Sequence, residues 1–436
     1  MSETFRDLPR KGIAMDSRIL EQLEAAYGEE LALVRGDLGR LEQTVGGILK
    51  SLGVGLLQRL VNQGRNGYQG TALPCSCGGS LRFVGHRPKA LHTVFGWITV
   101  SRAYYHCSAC ERSVVPYDQA SGLGAGSISP ALAKACGVLA VDTSFGETSR
   151  KIEALYGEEV SDTTVERLVH QVGSVAMAQP EQERERFQTQ REIPVSQVQP
   201  QRLYVSVDGT TVHEEDGWHE VKTGCIYWYD ERFQRHQCYV GRFCSSEEFG
   251  WLVWLAACRH GLREALEVVY LGDGAPWVRT EHERHFHPAT FIVDWYHASK
   301  HVWDCGKVLL GQAPALVEAW VQARLSLLWE GQTRKLLEDL QEQYRQHRGA
   351  KREALEDLCR YLSTNEEQMR YDVFRVRGYD IGSGAVEGAC HYVVGQRLKQ
   401  SGMIWSRVGS SATLALRICW LNGQWDSFWE QKPLAA

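Results

Sequence analysis

The chain has 436 residues, of which 43% are apolar and 23% charged, and its formal net charge is −5. No apolar run approaches the ~20 residues that span a bilayer, and Met1-Ser-Glu-Thr-Phe-Arg-Asp lacks a signal-peptide core, so membrane and secreted classes are set aside and a cytoplasmic location is expected. The length predicts several domains; thirteen cysteines, an odd count, argue against a disulfide framework, and the acidic balance requires any nucleic-acid site to concentrate positive charge locally.

Residues 1–72 read as a polar helical segment with spaced apolar positions such as Leu31, Leu38, Val45 and Leu49. At 73–118 the texture turns to β. Cys75-Ser-Cys77 and Cys107-Ser-Ala-Cys110 flank two strand-like runs, and two knuckles on adjacent hairpins would bring four thiolates around one structural Zn²⁺, as in a zinc ribbon. The C-x-C spacing is tighter than most knuckles. His86 or His106 could replace one cysteine, and the alternative is four buried free thiols.

Residues 128–178 predict three short helices, with Pro130 in a first turn and Ser161 or Thr163 as the cap of the last. This order matches a helix-turn-helix as well as any three-helix bundle. In the DNA-binding reading Arg150, Lys151, Arg167 and His170 contact phosphates. The polar, proline-bearing run 179–201 reads as a linker.

From 202 to 300 the pattern is α/β. Three successive strands are expected at 203–212, 221–229 and 235–243, then a helix opened by the capping box Ser245-x-x-Glu248, then strands at 266–271 and 290–293. A three-strand meander followed by alternating helix and strand is the order of a ribonuclease H-like fold. Residues 301–372 read as an all-α insertion, and 373–436 as the second part of the same domain.

Three acids stand where such a fold collects chemistry. Asp208 ends the run Leu203-Tyr-Val-Ser-Val, Asp273 follows Val268-Val-Tyr-Leu-Gly, and Glu387 lies just inside a helix capped by Ser383. Two carboxylates at strand ends with a third on a distant helix can hold a pair of Mg²⁺ (or Mn²⁺) ions on a phosphodiester, because hard oxygen ligands suit these ions. His391, four residues after Glu387, would share its helix face. Arg397, Lys399 and Arg407 are further phosphate-contact candidates.

Together these blocks resemble the bacterial insertion-sequence transposases of the DDE superfamily, in the Kra-type group allied to Mutator-like elements. The resemblance runs from about residue 73 to 422. It is carried by Cys75-Ser-Cys-Gly-Gly, Arg102-Ala-Tyr-Tyr-His-Cys-Ser-Ala-Cys110, Asp208-Gly-Thr, Gly217-Trp-His-Glu-Val-Lys-Thr-Gly224, Gly272-Asp-Gly-Ala-Pro-Trp277, Asp294-Trp-Tyr-His297 and Gly382-Ser-Gly-Ala-Val-Glu387. It implies a triad of Asp208, Asp273 and Glu387, double-stranded DNA partners (terminal inverted repeats and target), a homo-oligomer on DNA, and a nucleoid-associated location. Asp294 competes with Asp273 for the second ligand position, and His297 and His391 are auxiliary candidates. The alternatives are a catalytically inactive DNA-binding regulator on the same scaffold, and a ribonuclease H-like nuclease without strand transfer.

Overall fold

The computed structural model describes residues 17–435 apart from 197, 312 and 383, and of Ser17, Ala385, Val386 and Glu387 it describes the backbone alone. The chain divides into two compact units. The first comprises residues up to 132 with 156–158, and the second comprises 133–155 and 159–434.

The first unit opens with helices α1 (Ser17–Val34) and α2 (Leu38–Asn62), the latter capped by Asp37, whose carboxylate accepts the Arg40 N–H. Four strands follow as an antiparallel meander: β1 (Ala72–Pro74), β2 (Ser80–Thr93), β3 (Gly96–His106) and β4 (Ser113–Val114), then the short helix α3 (Pro116–Ser121). Val54, Leu57 and Val61 of α2 pack on Leu91, Ile98 and Val100 of the long hairpin. The Gln58 side-chain amide meets both the N–H and the carbonyl of Thr99 at 2.7 Å, which satisfies a strand edge that would otherwise need water. A buried Glu158 ties this unit together, taking His92 Nε2 at 2.6 Å and the ammonium of Lys50.

The second unit begins with α4 (Pro130–Ala140, whose first turn lies in the first unit), α5 (Phe145–Tyr156) and α6 (Asp162–Gln190). Ser161 caps α6 by accepting the Thr164 N–H. The third helix is therefore not short: residues 179–190, expected as linker, continue α6 with Pro180 inside it, and the described residues of 191–201 lie outside helix and strand. Val165, Leu168, Val172 and Ala176 supply a buried stripe, and Gly173 lets the helix Arg407–Leu421 approach so closely that a Cβ there would lie 2.6 Å from Ala412.

The sheet is built from β5 (Arg202–Glu214), β6 (Gly217–Tyr229), β7 (Arg235–Arg242), β8 (Glu267–Gly272) and β9 (Thr290–Val293), in the spatial order β7-β6-β5-β8-β9. The first three pair antiparallel, whereas β5–β8 and β8–β9 are parallel. Between β7 and β8 lies α7 (Ser246–Arg259), whose capping box is complete, with Ser245 and Glu248 each accepting the other's backbone N–H. Such a cap is worth about 1 kcal/mol. Phe249, Val253 and Ala256 of α7 join Val205, Ile226 and Leu271 in one large core. After α8 (Pro276–Glu281) and β9 come α9 (Trp295–Leu310), α10 (Pro314–Trp329), α11 (Thr333–Gln346), α12 (Ala350–Thr364) and α13 (Tyr371–Val376), which occupy the expected all-α segment. The chain closes with α14 (Gly384–Ala389), a π-helical turn (Cys390–Gly395), α15 (Gln396–Leu398), α16 (Arg407–Leu421) and α17 (Trp425–Glu430). The fold is thus mixed α/β, as expected.

Candidate active site

Sheet register places three aspartates in one row. The parallel pairing of β5 with β8 ends at Ser206 opposite Leu271, so Asp208 and Asp273 each stand two residues past the same rung. Gly272 pairs with Val293, which sets Asp294 level with Asp273 on the next strand, each one residue past that rung. Adjacent strands are about 4.8 Å apart. Asp208 lies inside β5 rather than at its end, because that strand continues to Glu214 against β6 alone; it marks the end of the parallel portion.

Each carboxylate is anchored differently. Asp208 Oδ1 accepts the Gly209 N–H at 2.7 Å and Asp273 Oδ1 accepts that of Ala275 at 2.8 Å. Gly274 carries the Asp273 turn at φ +81°, where a Cβ would lie 2.7 Å from Asn365 Oδ1, so only glycine fits. The insertion helices brace this turn: Tyr361 of α12 donates to the Asp273 carbonyl at 2.9 Å and stacks on His301 of α9 at 3.8 Å. Asp294 is fully buried, caps α9 by accepting the His297 N–H at 2.9 Å, and lies 3.4 Å from His297 Nδ1.

The electrostatics follow from this crowding. Burial holds the Asp208 carboxyl above its ordinary range, opposed by nearby His297 and reinforced by the charge of Asp273. The Asp294 carboxylate holds the His297 imidazole above its usual value against burial, with help from Asp208 and Asp273. Two hard carboxylates, one oxygen of each fixed by a backbone N–H, fit a divalent cation by donor chemistry.

Glu387 lies on α14, its side chain outside those described, as is the capping candidate Ser383. Trp295 N–H donates to the Ile381 carbonyl at 2.9 Å, which brings the loop before α14 to the end of β9. Beyond α14 the helix changes pitch. Cys390–Gly395 is π-helical, so the four-residue phase from Glu387 to His391 does not carry through: His391 is exposed, and Cys390 reaches Asp208 Oδ2 at 3.3 Å. Neither Cys390 nor Tyr361 stood out in the sequence: a π turn has no residue signature, and Tyr361 reads as an ordinary position of α12.

Arg397 is not a phosphate contact. It is fully buried, donates through Nε to the Ala140 carbonyl at 2.8 Å and lies over the Trp405 ring at 4.7 Å. Arg417, equally buried, donates to the carbonyls of Val141 (2.8 Å) and Tyr392 (2.6 Å from Nε). Both guanidiniums join the α4–α5 connection to the segment after α14. Lys399 is exposed and bonded to the Thr210 hydroxyl; Arg407 is half exposed, pairs with Glu214 at 3.1 Å and lies 4.6 Å over Phe243. On α5 and α6, Arg150 and Arg167 are exposed, Lys151 pairs with Glu147 at 2.9 Å, and His170 lies 3.8 Å from Glu166. A cavity of about 780 Å³ lies along β7, lined by Tyr239, Phe243, Leu252, Leu414 and Ile418, and none of the aspartates lines it.

In the first unit, Cys75, Cys77, Cys107 and Cys110 converge with all four sulfurs within 4.8 Å of one another. Cys75 and Cys110 are 3.5 Å apart and Cys77 and Cys107 3.8 Å, close to the ~3.8 Å edge of a tetrahedral four-thiolate centre with 2.3 Å metal–sulfur bonds. Backbone N–H groups of Cys110 and Ala109 aimed at Cys107 lower its thiol to about 7. Gly78 at φ +84° and Glu111 at φ +56° make the two turns, so the C-x-C pair closes as well as the C-x-x-C pair. His86 and His106 stand outside this group. These thiols form a possible metal-binding group. A second acidic cluster, Glu214, Asp216 and His219, sits at the β5–β6 turn, where Glu214 is already held by Arg407 and by Ser410 at 2.6 Å.

Residues 81–432 match the profile of UPF0236, described as an uncharacterised protein family. The chain is also similar to a Streptococcus gallolyticus protein described as "UPF0236 protein in vanSb 3'region", at 23% identity over 336 residues that cover 73% of this chain and 70% of the relative.

Proposed function

The chain belongs to the UPF0236 family, and from that premise we propose that it is a DDE-type DNA transposase with a ribonuclease H-like catalytic domain, binding transposon ends and carrying out Mg²⁺- or Mn²⁺-dependent strand cleavage and strand transfer. Carrying the proposal is the row of Asp208 and Asp273, level in register where the parallel pairing of β5 and β8 ends. The strand order, a meander of three followed by two parallel additions on the other side of the first strand, supports the same reading.

Asp208, Asp273 and Glu387 would hold the cations. When bound, these ions lower the pKa of a coordinated water and stabilise the departing 3′ oxygen. The protein's own part is positional. Backbone N–H groups of Gly209 and Ala275 fix one oxygen of each aspartate, Tyr361 and Asn365 hold the Asp273 turn from the insertion, and His297 balances carboxylate charge. Asp294 is better suited to positioning than to ligation, since it caps α9 from a fully buried site.

Cys75, Cys77, Cys107 and Cys110 would hold a structural Zn²⁺ in a zinc-ribbon-like unit. Helices α4–α6 would serve as a helix-turn-helix, with Arg150, Lys151 and Arg167 on phosphates, and Lys399 would contact backbone near Asp208. The partners would be terminal inverted repeats and target DNA, with several copies of the chain assembling on the DNA in the bacterial nucleoid. The test is incubation of the purified chain with duplexes carrying its element's ends. Mn²⁺-dependent nicks at the end junction support the proposal, and intact duplexes under every divalent ion oppose it.

A further inference from the structure

Cys390 touches both Asp208 and the strand beside it. Its sulfur lies 3.3 Å from Asp208 Oδ2 and 3.0 Å from the hydroxyl of Thr223. Thr223 is directly opposite Asp208 in the β5–β6 ladder, is fully buried, and donates to the Asp208 carbonyl at 3.3 Å. Because Asp208 Oδ1 already takes the Gly209 N–H, the Cys390 thiol supplies the donor for the second oxygen.

The backbone that delivers this thiol is itself held. Cys390 opens the π-helical turn that continues α14, the helix carrying Glu387. The buried Arg417 grips that turn through the Tyr392 carbonyl and the Gln396 side chain, at 2.6 and 2.9 Å. A thiol is a weak donor, but here it addresses a charged acceptor in a half-buried site, where a hydrogen bond counts for more than in water.

Resting on the reading of Asp208 as a cation ligand, we infer that Cys390 is a positioning residue for that carboxylate. Its thiol fixes Oδ2 and fastens the Glu387-bearing helix to the central strand, so the cation affinity of the acidic row depends on a sulfhydryl that is not itself a ligand. Serine, a stronger donor of similar size, should substitute; alanine should not.

The experiment is calorimetric titration of the zinc-loaded full chain with Mn²⁺, in the wild type and in Cys390→Ala, Cys390→Ser, Asp208→Asn and Asp273→Asn, with thermal midpoints recorded alongside. Cys390→Ala is expected to weaken Mn²⁺ binding about three- to tenfold with little change in midpoint, and Cys390→Ser to return it to within about twofold. Wild-type affinity in Cys390→Ala, alongside lost binding in Asp208→Asn, would overturn the inference while sparing the acidic row. Wild-type affinity in both aspartate variants would overturn the acidic row itself. A second measurement needs no variant: alkylation of Cys390 by iodoacetamide, followed by peptide mass, should slow when Mn²⁺ is present. An unchanged rate contradicts the inference.

Discussion

Asp294 accepts the backbone N–H of His297 at 2.9 Å from a position with no solvent exposure. That bond makes Asp294 the N-cap of α9, whereas Asp273, on the neighbouring strand, sits half-buried in an open glycine turn. The two aspartates that competed for one ligand position in the sequence are therefore held differently.

Their substitutions should separate accordingly. Asp294→Ala leaves the first turn of α9 uncapped and removes the counter-charge of His297, so it should destabilise the protein by about 2 kcal/mol or more in urea unfolding. Asp273→Ala should move the urea midpoint little and remove Mn²⁺ binding. Equal destabilisation by both would contradict this division.

Arg397→Ala should be a folding variant and not a DNA-binding one. The guanidinium fills a buried site, donates to the Ala140 carbonyl, and stacks between Trp405 and Phe145. Its loss should cost about 3 kcal/mol or more, because a carbonyl and a cavity are left behind. By contrast Arg150→Ala with Arg167→Ala, both exposed, should leave urea unfolding unchanged and weaken duplex binding with a shallower salt dependence. Filter binding across a salt series reads the difference.

That contrast shows where sequence reading works. The strands at β5–β9, the Ser245 capping box and the all-α segment were legible because period-2 and period-3.6 patterns report burial directly. The continuation of α6 through Pro180 was not, since a polar, proline-bearing run reads as linker unless the packing of Val172, Ala176 and Phe187 is seen. Arg397 and Arg417 were illegible for a related reason: nothing local says that a basic side chain will find backbone carbonyls in a core. The acidic row was half legible. Asp208 and Asp273 followed from strand ends, whereas the Cys390 contact depends on a change of helical pitch that spacing rules do not anticipate.

Acid should destabilise the second unit in a defined window. Burial holds His260 and His285 down to about 4, against an ordinary value of 6.5. The unfolded chain therefore takes up protons at these sites before the folded chain does. Stability is full above pH 6.5 and falls as the pH drops from 6.5 towards 4. Thermal midpoints measured across that range should decline, and His260→Gln with His285→Gln should flatten the decline. An unaltered slope would show that neither imidazole is the cause.

Removal of metal should act on the first unit. With four sulfurs within 4.8 Å of one another, the purified chain is expected to carry about one Zn²⁺, and Cys107→Ser to carry none. Chelation should expose the β2–β3 hairpin to protease while the second unit resists. Full-length chain without zinc and with normal resistance would mean that the four thiols are a reduced structural cluster.

In the proposed reaction the acidic row cuts and joins DNA. Its most direct measurement is a single-turnover assay on labelled duplexes carrying the element's ends, with Mn²⁺, comparing the wild type with Asp208→Asn, Asp273→Asn and Glu387→Gln. The expected result is cleaved and strand-joined product from the wild type alone. Cleavage that persists in Asp208→Asn or Asp273→Asn, or product that forms without a divalent cation, would contradict it.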